Sequence, residues 1–592
     1  MAREFRKVGV VGLGTMGAGI AEVLASHGVE VVAIDLSDEA LARGRTQVRN
    51  STDRAVARGK LTADDRAAIF DRVVFSACLD DVKDADLVIE SVPENLDLKR
   101  EIFAELDRIC NAEAILATNT SSLSVTEISA ATQRPAQVVG THFFNPAPVM
   151  RSVEVIRTVL TDAEVVADVE RLLERLDKIS ITVGDKAGFI ANALLFGYLN
   201  QAVAMYESGY ATREDIDTAM RVGCGLPMGP LTLLDLIGLD VAHDILEALF
   251  NESRVRRHAP VPLLRHMITA GLLGRKTGRG FYTYETPDSS VAVADAHTST
   301  EEQQVAGARR VDQVGVVGAD SVAQSVLVTC ARAGYPVVLL PYGADTADVV
   351  LDAIEEDLDR SVASGRIDEL SKKAALQRIT VAAGYADLAD CDMVIEAVQG
   401  SVDDKRAVFA GLDGAVKPGA VFATVTSAVP IIDLAMATSR PADVVGAHFC
   451  MPVPGGQLVE IVQTIATAPD VVSTAHAFCR RLGKQAIRCR DRAGFLVQAL
   501  LFPHLGDAVK MLQARYATVD DIDAAMKYGC GYPMGPFEML DQNGLDNALA
   551  VQTRLYEEYR DPSFAPAPLL EQLVKAGYLG RKSGRGFRDY DD

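Results

Sequence analysis

The sequence predicts an α/β unit, a doubly wound and mainly parallel sheet, followed by an all-α domain, with the whole unit repeated twice. Three observations carry this. Short β-branched runs alternate with helical stretches, the pattern of a sheet covered by helices on both faces. A helical region punctuated by Gly and Pro follows each alternating region. The chain also repeats itself at a constant offset: VGVVGLGTMGAGI from Val8 returns as VGVVGADSVAQSV from Val314, 306 residues later.

The offset does not drift. DADLVIE at Asp84 meets DCDMVIE at Asp390, GTHFFNP at Gly140 meets GAHFCMP at Gly446, and GRKTGRGFYTY at Gly274 meets GRKSGRGFRDY at Gly580. A period this long is a duplicated protein rather than a solenoid unit. The polar, small-residue stretch from Thr286 to Ala308 reads as a linker. The expected domains are 1–184 and 185–286, a linker at 287–308, then 309–490 and 491–592.

In the first unit the expected strands are Val8–Val11, Val29–Ile34, Leu87–Val92, Ile115–Thr118, Val138–His142 and Val153–Ile156. After VGDKAGF at Val183 the pattern changes. Gly188–Tyr206 reads as one long helix, further helices follow through Gly271, and GCGLPMGP at Gly223 is a turn between them.

Composition narrows the function. The chain has 592 residues, too many for one core. Its net charge of −22 argues against nucleic acid or an anionic membrane as partner. No run of about 20 apolar residues offers a membrane span, and a strand-like run beginning by Val8 leaves no room for a signal peptide. The nine cysteines are scattered without a CxxC pair, so a cytoplasmic protein without disulfides or a metal site is expected.

Chemistry enters at the first strand. It runs into Gly12-x-Gly14-x-x-Gly17 and then a helix, and Asp35 closes the next strand. This is the Rossmann dinucleotide-binding arrangement. Gly12 permits the tight turn, Gly14 lets the backbone approach a pyrophosphate, and Gly17 permits close packing of the helix. The pyrophosphate then sits on the helix N-terminus. Asp35 suits a ribose 2′-hydroxyl and repels a 2′-phosphate, which favours NAD over NADP. In the second unit Gly14, Gly17 and Asp35 become Asp320, Ala323 and Pro341. That copy is expected not to bind NAD in the usual way.

His142 ends one expected strand and Glu154 lies on the next, while TNTSSL (Thr118–Leu123) ends another. Carboxyl ends of strands gather at the ligand crevice of open α/β sheets. Together with ESVPENLDLK, THFFNPAPVM, GFIANALL, GYATREDIDTAM, GLPMGPLTLLD and GRKTGRGFY, these motifs make the first half resemble the L-3-hydroxyacyl-CoA dehydrogenase family, including bacterial 3-hydroxybutyryl-CoA dehydrogenases. The second half resembles it more loosely.

The resemblance implies a catalytic set of His142, Glu154, Ser121 and Asn192. His142 is the general base, Glu154 pairs with its other ring nitrogen, and Ser121 and Asn192 bind substrate oxygens. It further implies that Glu94, Lys99 and Asn119 contact NAD and that Lys60 touches the CoA phosphates. The substrate would be a short (S)-3-hydroxyacyl-CoA in fatty-acid or related acyl-CoA metabolism. The alternatives are 3-hydroxyadipyl-CoA, a hydroxyacyl carrier-protein or sugar-acid substrate, and a non-catalytic NAD or acyl-CoA sensor. Two positions depart from the family's common pattern, Ala187 for Pro and Ala193 for Arg.

The second half keeps His448, Glu460, Ser427 and Lys405. It has Gln498, Val425 and Gly400 where the first has Asn192, Asn119 and Glu94, and FCMP in place of FFNP. Because the family commonly dimerises through its helical domains, the resemblance implies an intrachain pseudo-dimer. In it the second half is a scaffold, and a further homo-oligomer stays open.

Overall fold

A computed structural model describes residues 3–298, 300–343, 347–427, 429–450 and 456–590. Met451 and Pro452 of the FCMP stretch lie outside the described residues.

The first unit forms an eight-stranded sheet of β1 (Lys7–Val11), β2 (Glu30–Ile34), β3 (Val73–Ser76), β4 (Leu87–Glu90), β5 (Ile115–Thr118), β6 (Val138–Phe143), β7 (Ser152–Arg157) and β8 (Ile179–Gly184). Their order is β3-β2-β1-β4-β5-β6-β7-β8. The first six are parallel, β7 runs antiparallel to β6, and β8 runs parallel to β7. The order reverses between β1 and β4, so a crevice opens at their carboxyl ends. The second unit repeats this order from Val314 to Arg490.

Both faces of the sheet are buried. Val8 and Val10 pack with Ile20 and Leu24 of the helix Thr15–Ser26, while Val88 and Leu116 pack with Phe103 and Leu106 on the other face. Burial on both sides explains why these strands read as continuous apolar runs.

Two strands escaped the sequence reading. Val73–Ser76 is a short edge strand and Ile179–Gly184 is only partly buried, so neither shows a strong apolar run. The strand expected to reach Val92 stops at Glu90, because the Val92 N–H turns to the Glu90 carboxylate (2.6 Å). The helix expected from Gly188 begins at Ala191. Gly188 (φ 72°) and Phe189 (φ 48°) are left-handed and cannot join it. The linker is not a free tether. Ala292–Val293 pairs with Thr283–Tyr284, Asp295 holds Arg213 at 2.6 Å, and Glu301–Val305 is helical.

The helical domains of the two halves share one apolar core. The helix Ala191–Glu207 packs against its counterpart Val497–Gln513, with Leu194, Leu199, Leu500 and Leu505 buried in the same cluster. His504 Nδ1–H donates to the Leu194 carbonyl (3.2 Å), and Arg257 pairs with Asp507 (2.5 Å). Among the described residues, no helix is long and apolar enough to cross a membrane.

Candidate active site

The site is built where β1 turns into its helix. Gly12 has φ 92°, and a Cβ there would lie 2.7 Å from the Ser91 carbonyl oxygen. A Cβ on Gly17 would lie 1.8 Å from the Gly12 carbonyl oxygen, so the third glycine lets the helix close onto the turn. A Cβ on Gly14 would meet nothing within 4 Å. Gly14 is the N-cap, no side chain caps the helix, and the loop borders a cavity of about 1430 Å³. Bare N–H groups and the positive helix end therefore face open space, as an anion requires.

Asp35 ends β2 on the same cavity. Its Oδ2 accepts from Leu13 N (2.8 Å) and its Oδ1 from Leu36 N (2.7 Å), which fixes the carboxylate against the glycine loop. The uncapped helix, the open Gly14 and the braced acid together fit a dinucleotide.

Glu94 and Asn119 line the cavity too. Glu94 Oε1 accepts from Thr120 Oγ1 (2.6 Å), Ser121 N (2.8 Å) and Ser122 N (3.0 Å). Burial pushes its pKa up, but Lys99 and these donors outweigh burial and hold it below the usual carboxylate value. Asn119 Oδ1 accepts from Phe143 N (2.9 Å), which ties its loop to the end of β6.

His142 and Glu154 are Cα partners across the antiparallel pair β6–β7. Their twelve-residue separation is the hairpin that sets them opposite each other. His142 Nδ1–H donates to Glu154 Oε2 at 2.6 Å. Glu154 is fully buried, and its Oε1 accepts from Ile190 N and Ala191 N, both at 3.0 Å. The left-handed Phe189 brings those N–H groups to the carboxylate. Such a conformation costs roughly 1–2 kcal/mol in a residue with a side chain, and here it locks the acid. With Nδ1 committed as a donor, Nε2 carries the lone pair. The ring is flanked by Phe144 (centroids 4.8 Å apart) and Phe189 (5.7 Å), and it lines the cavity together with Ser121 and Asn192.

Two of the expected residues lie off the cavity wall. Lys99 is not at the cavity wall. It is fully buried, with Nζ 2.7 Å from Glu90 Oε1 and 3.5 Å from Glu94 Oε2, so it acts beneath the surface as their counter-charge. Lys60 is an exposed residue just past the helix Asp38–Ala57 and does not line the cavity.

Sequence reasoning missed several residues. Glu90 is wholly enclosed and also accepts from Thr118 Oγ1 (2.7 Å). DADLVIE and DCDMVIE both carry this acid at the strand end, which was the available signal. Phe144, Tyr198 and, from the second half, Gly529, Cys530 and Tyr532 also line the cavity. Nothing local in the sequence marks the last three.

The second half keeps the dyad and loses the loop. His448 Nδ1 lies 2.7 Å from Glu460 Oε2, and Glu460 Oε1 accepts from Leu496 N and Val497 N, both at 2.9 Å. Asp320, however, caps its helix by accepting from Ala323 N (2.8 Å), so a carboxylate occupies the position an anion would take. Cys450 replaces Phe144 beside the dyad, and burial pushes its thiol pKa up.

Comparisons with known proteins agree with this geometry. The family model "3-hydroxyacyl-CoA dehydrogenase, NAD binding domain" matches residues 7–186 and 313–492, and the model of the C-terminal domain matches 188–284 and 494–590. A 3-hydroxybutyryl-CoA dehydrogenase of Mycobacterium tuberculosis is 45% identical over 286 residues, covering 48% of this chain and 100% of that protein. A 3-hydroxyadipyl-CoA dehydrogenase of Escherichia coli is 29% identical over 581 residues, covering 98% of this chain and 100% of that protein. A crystal structure of an Escherichia coli 3-hydroxybutyryl-CoA dehydrogenase superposes with a TM-score of 0.69 at 28% identity, covering 97% of this chain and 100% of that one. The chain thus belongs to the 3-hydroxyacyl-CoA dehydrogenase family, is an NAD-dependent oxidoreductase, and carries the family's two-domain unit twice.

Proposed function

We propose that the first half oxidises short (S)-3-hydroxyacyl-CoA, 3-hydroxybutyryl-CoA above all, to the 3-oxoacyl-CoA, and that the second half is its non-catalytic pseudo-dimer partner. One observation carries this reading. The His142–Glu154 dyad and the uncapped glycine loop open onto one cavity, whereas in the second half Asp320 caps the corresponding loop.

His142 Nε2 takes the proton of the substrate 3-hydroxyl. Glu154 holds Nδ1–H, fixes the tautomer and stabilises the imidazolium that forms. NAD, when bound, supplies the hydride acceptor. Ser121 and Asn192 donate to the substrate oxygens and steady the charge that develops there. Asn192 sits at the start of the first helix of the helical domain, so closing that domain on the sheet completes the site and excludes water.

The name of the full-length relative favours a second reading, 3-hydroxyadipyl-CoA as substrate. Following NADH formation with both acyl-CoAs decides between them by kcat/KM. A wild-type enzyme that reduces NAD with neither would overturn both substrate readings and favour the carrier-protein or sugar-acid alternatives.

A further inference from the structure

The cavity that holds His142 does not end inside the first half. Gly529, Cys530 and Tyr532, all from the second half, form part of its wall. They are the counterparts of Gly223, Cys224 and Leu226, and Leu226 lines the same cavity. The cavity therefore reaches the pseudo-two-fold axis. Tyr198 and His504 mark that axis, since they are also counterparts and their ring centroids are 5.5 Å apart. Tyr532 also packs on His504, at 5.8 Å.

This wall lies on the His142 side of the cavity. Gly529 abuts Phe144, and a Cβ on it would lie 2.8 Å from that ring. Phe144 in turn flanks His142 at 4.8 Å. The expected dinucleotide contacts lie elsewhere, at Gly14 in the glycine loop and at Asp35, which follows β2 and braces that loop. Tyr532 is almost fully buried, and its hydroxyl and that of Tyr198 have no hydrogen-bond partner. Packing alone holds these rings, so their contribution to a ligand is shape and apolar surface.

We propose that the degenerate half walls the acyl pocket of the working half, and that Tyr532 is a specificity-determining residue which limits the length of the apolar acyl chain. The proposal rests on the acyl-CoA reading above. It gives the second half a part in recognition that a plain packing scaffold lacks. A pocket made from two identical halves would place leucine at both positions, whereas here a larger ring closes one side.

The test uses the full chain and measures kcat/KM for (S)-3-hydroxybutyryl-CoA and (S)-3-hydroxyhexanoyl-CoA. Tyr532→Leu places there the residue its counterpart already holds, so the turn can accept it. It is expected to raise the hexanoyl/butyryl ratio roughly ten-fold, the scale of a methylene-sized change in an apolar pocket. Tyr516→Phe serves as control, because Tyr516 bonds across the halves to the Gly184 carbonyl (2.7 Å) without lining the cavity. An unchanged ratio in Tyr532→Leu, or an equal shift in Tyr516→Phe, overturns the proposal. If the wild type turns over neither substrate, the short-chain reading fails separately. Dissociation constants of the same variants for butyryl-CoA and hexanoyl-CoA then decide the wall, by the same ratio.

Discussion

Tyr210 and Tyr516 occupy equivalent positions, and each hydrogen-bonds into the opposite half. Tyr210 Oη donates to the Phe495 carbonyl (2.7 Å), and Tyr516 Oη donates to the Gly184 carbonyl (2.7 Å). Phe495 adjoins Leu496, whose N–H serves Glu460, and Gly184 ends β8, six residues before Ile190, whose N–H serves Glu154. Each half therefore braces the hinge of the other's acid. Tyr210→Phe leaves a buried carbonyl short of a donor and should lower stability by about 1–3 kcal/mol. Urea unfolding of the variant beside wild type checks it.

A chain cut after residue 290 exposes the apolar face of the helix Ala191–Glu207, including Leu199 and Tyr198. A patch of that kind invites association. The expected product is a self-associating or aggregating fragment, read by light scattering. A well-folded, fully active monomer would show that the second half is dispensable.

The dyads should be unequal in catalysis. His142→Ala is expected to lower kcat by roughly 10²–10⁴-fold, the usual worth of a general base. His448→Ala, in a half whose glycine loop is capped, should leave kcat within about two-fold. Steady-state NADH formation by both variants decides this.

Asp320 blocks its own helix end, so one NAD per chain is expected in calorimetric titration. Asp35→Ala should weaken that single event, because it removes the acid that braces the glycine loop and that we propose meets the ribose. A second event of comparable affinity in the wild type would contradict the assignment of the halves.

His504 makes the interface sensitive to acid. Burial, with the nearby Arg257 charge, pulls its pKa from 6.5 down to about 4, against a smaller opposing pull from Asp507. Between those values the folded imidazole stays neutral while the unfolded chain binds a proton. Stability from this group is thus present above pH 6.5 and is lost as pH falls toward 4, at about 1.4 kcal/mol per pH unit. His504→Phe has no such titration. Its unfolding midpoint should gain on that of wild type as the pH is lowered through this window.

Much of this protein is legible as a string. The glycine spacing works because turn, helix start and acid lie within 24 residues, from Gly12 to Asp35. The duplication shows because an ungapped offset is a one-dimensional property. Buried strands announce themselves by apolar runs, so Ile115–Thr118 reads cleanly while the edge strand Val73–Ser76 does not.

Contacts between distant residues follow a different logic. His142 and Glu154 can be named from a resemblance, but only the antiparallel turn of β7 against an otherwise parallel sheet sets them opposite each other. Lys99 is expected at the NAD and is in fact enclosed, because its helix turns back over the end of β4 and sets its ammonium on the Glu90 carboxylate. Local spacing fixed the cofactor loop and its ruined twin. Long-range packing across the pseudo-two-fold axis decided that Tyr532 borders the working site, since that adjacency depends on how two helical domains bury their apolar faces and not on any spacing along the chain.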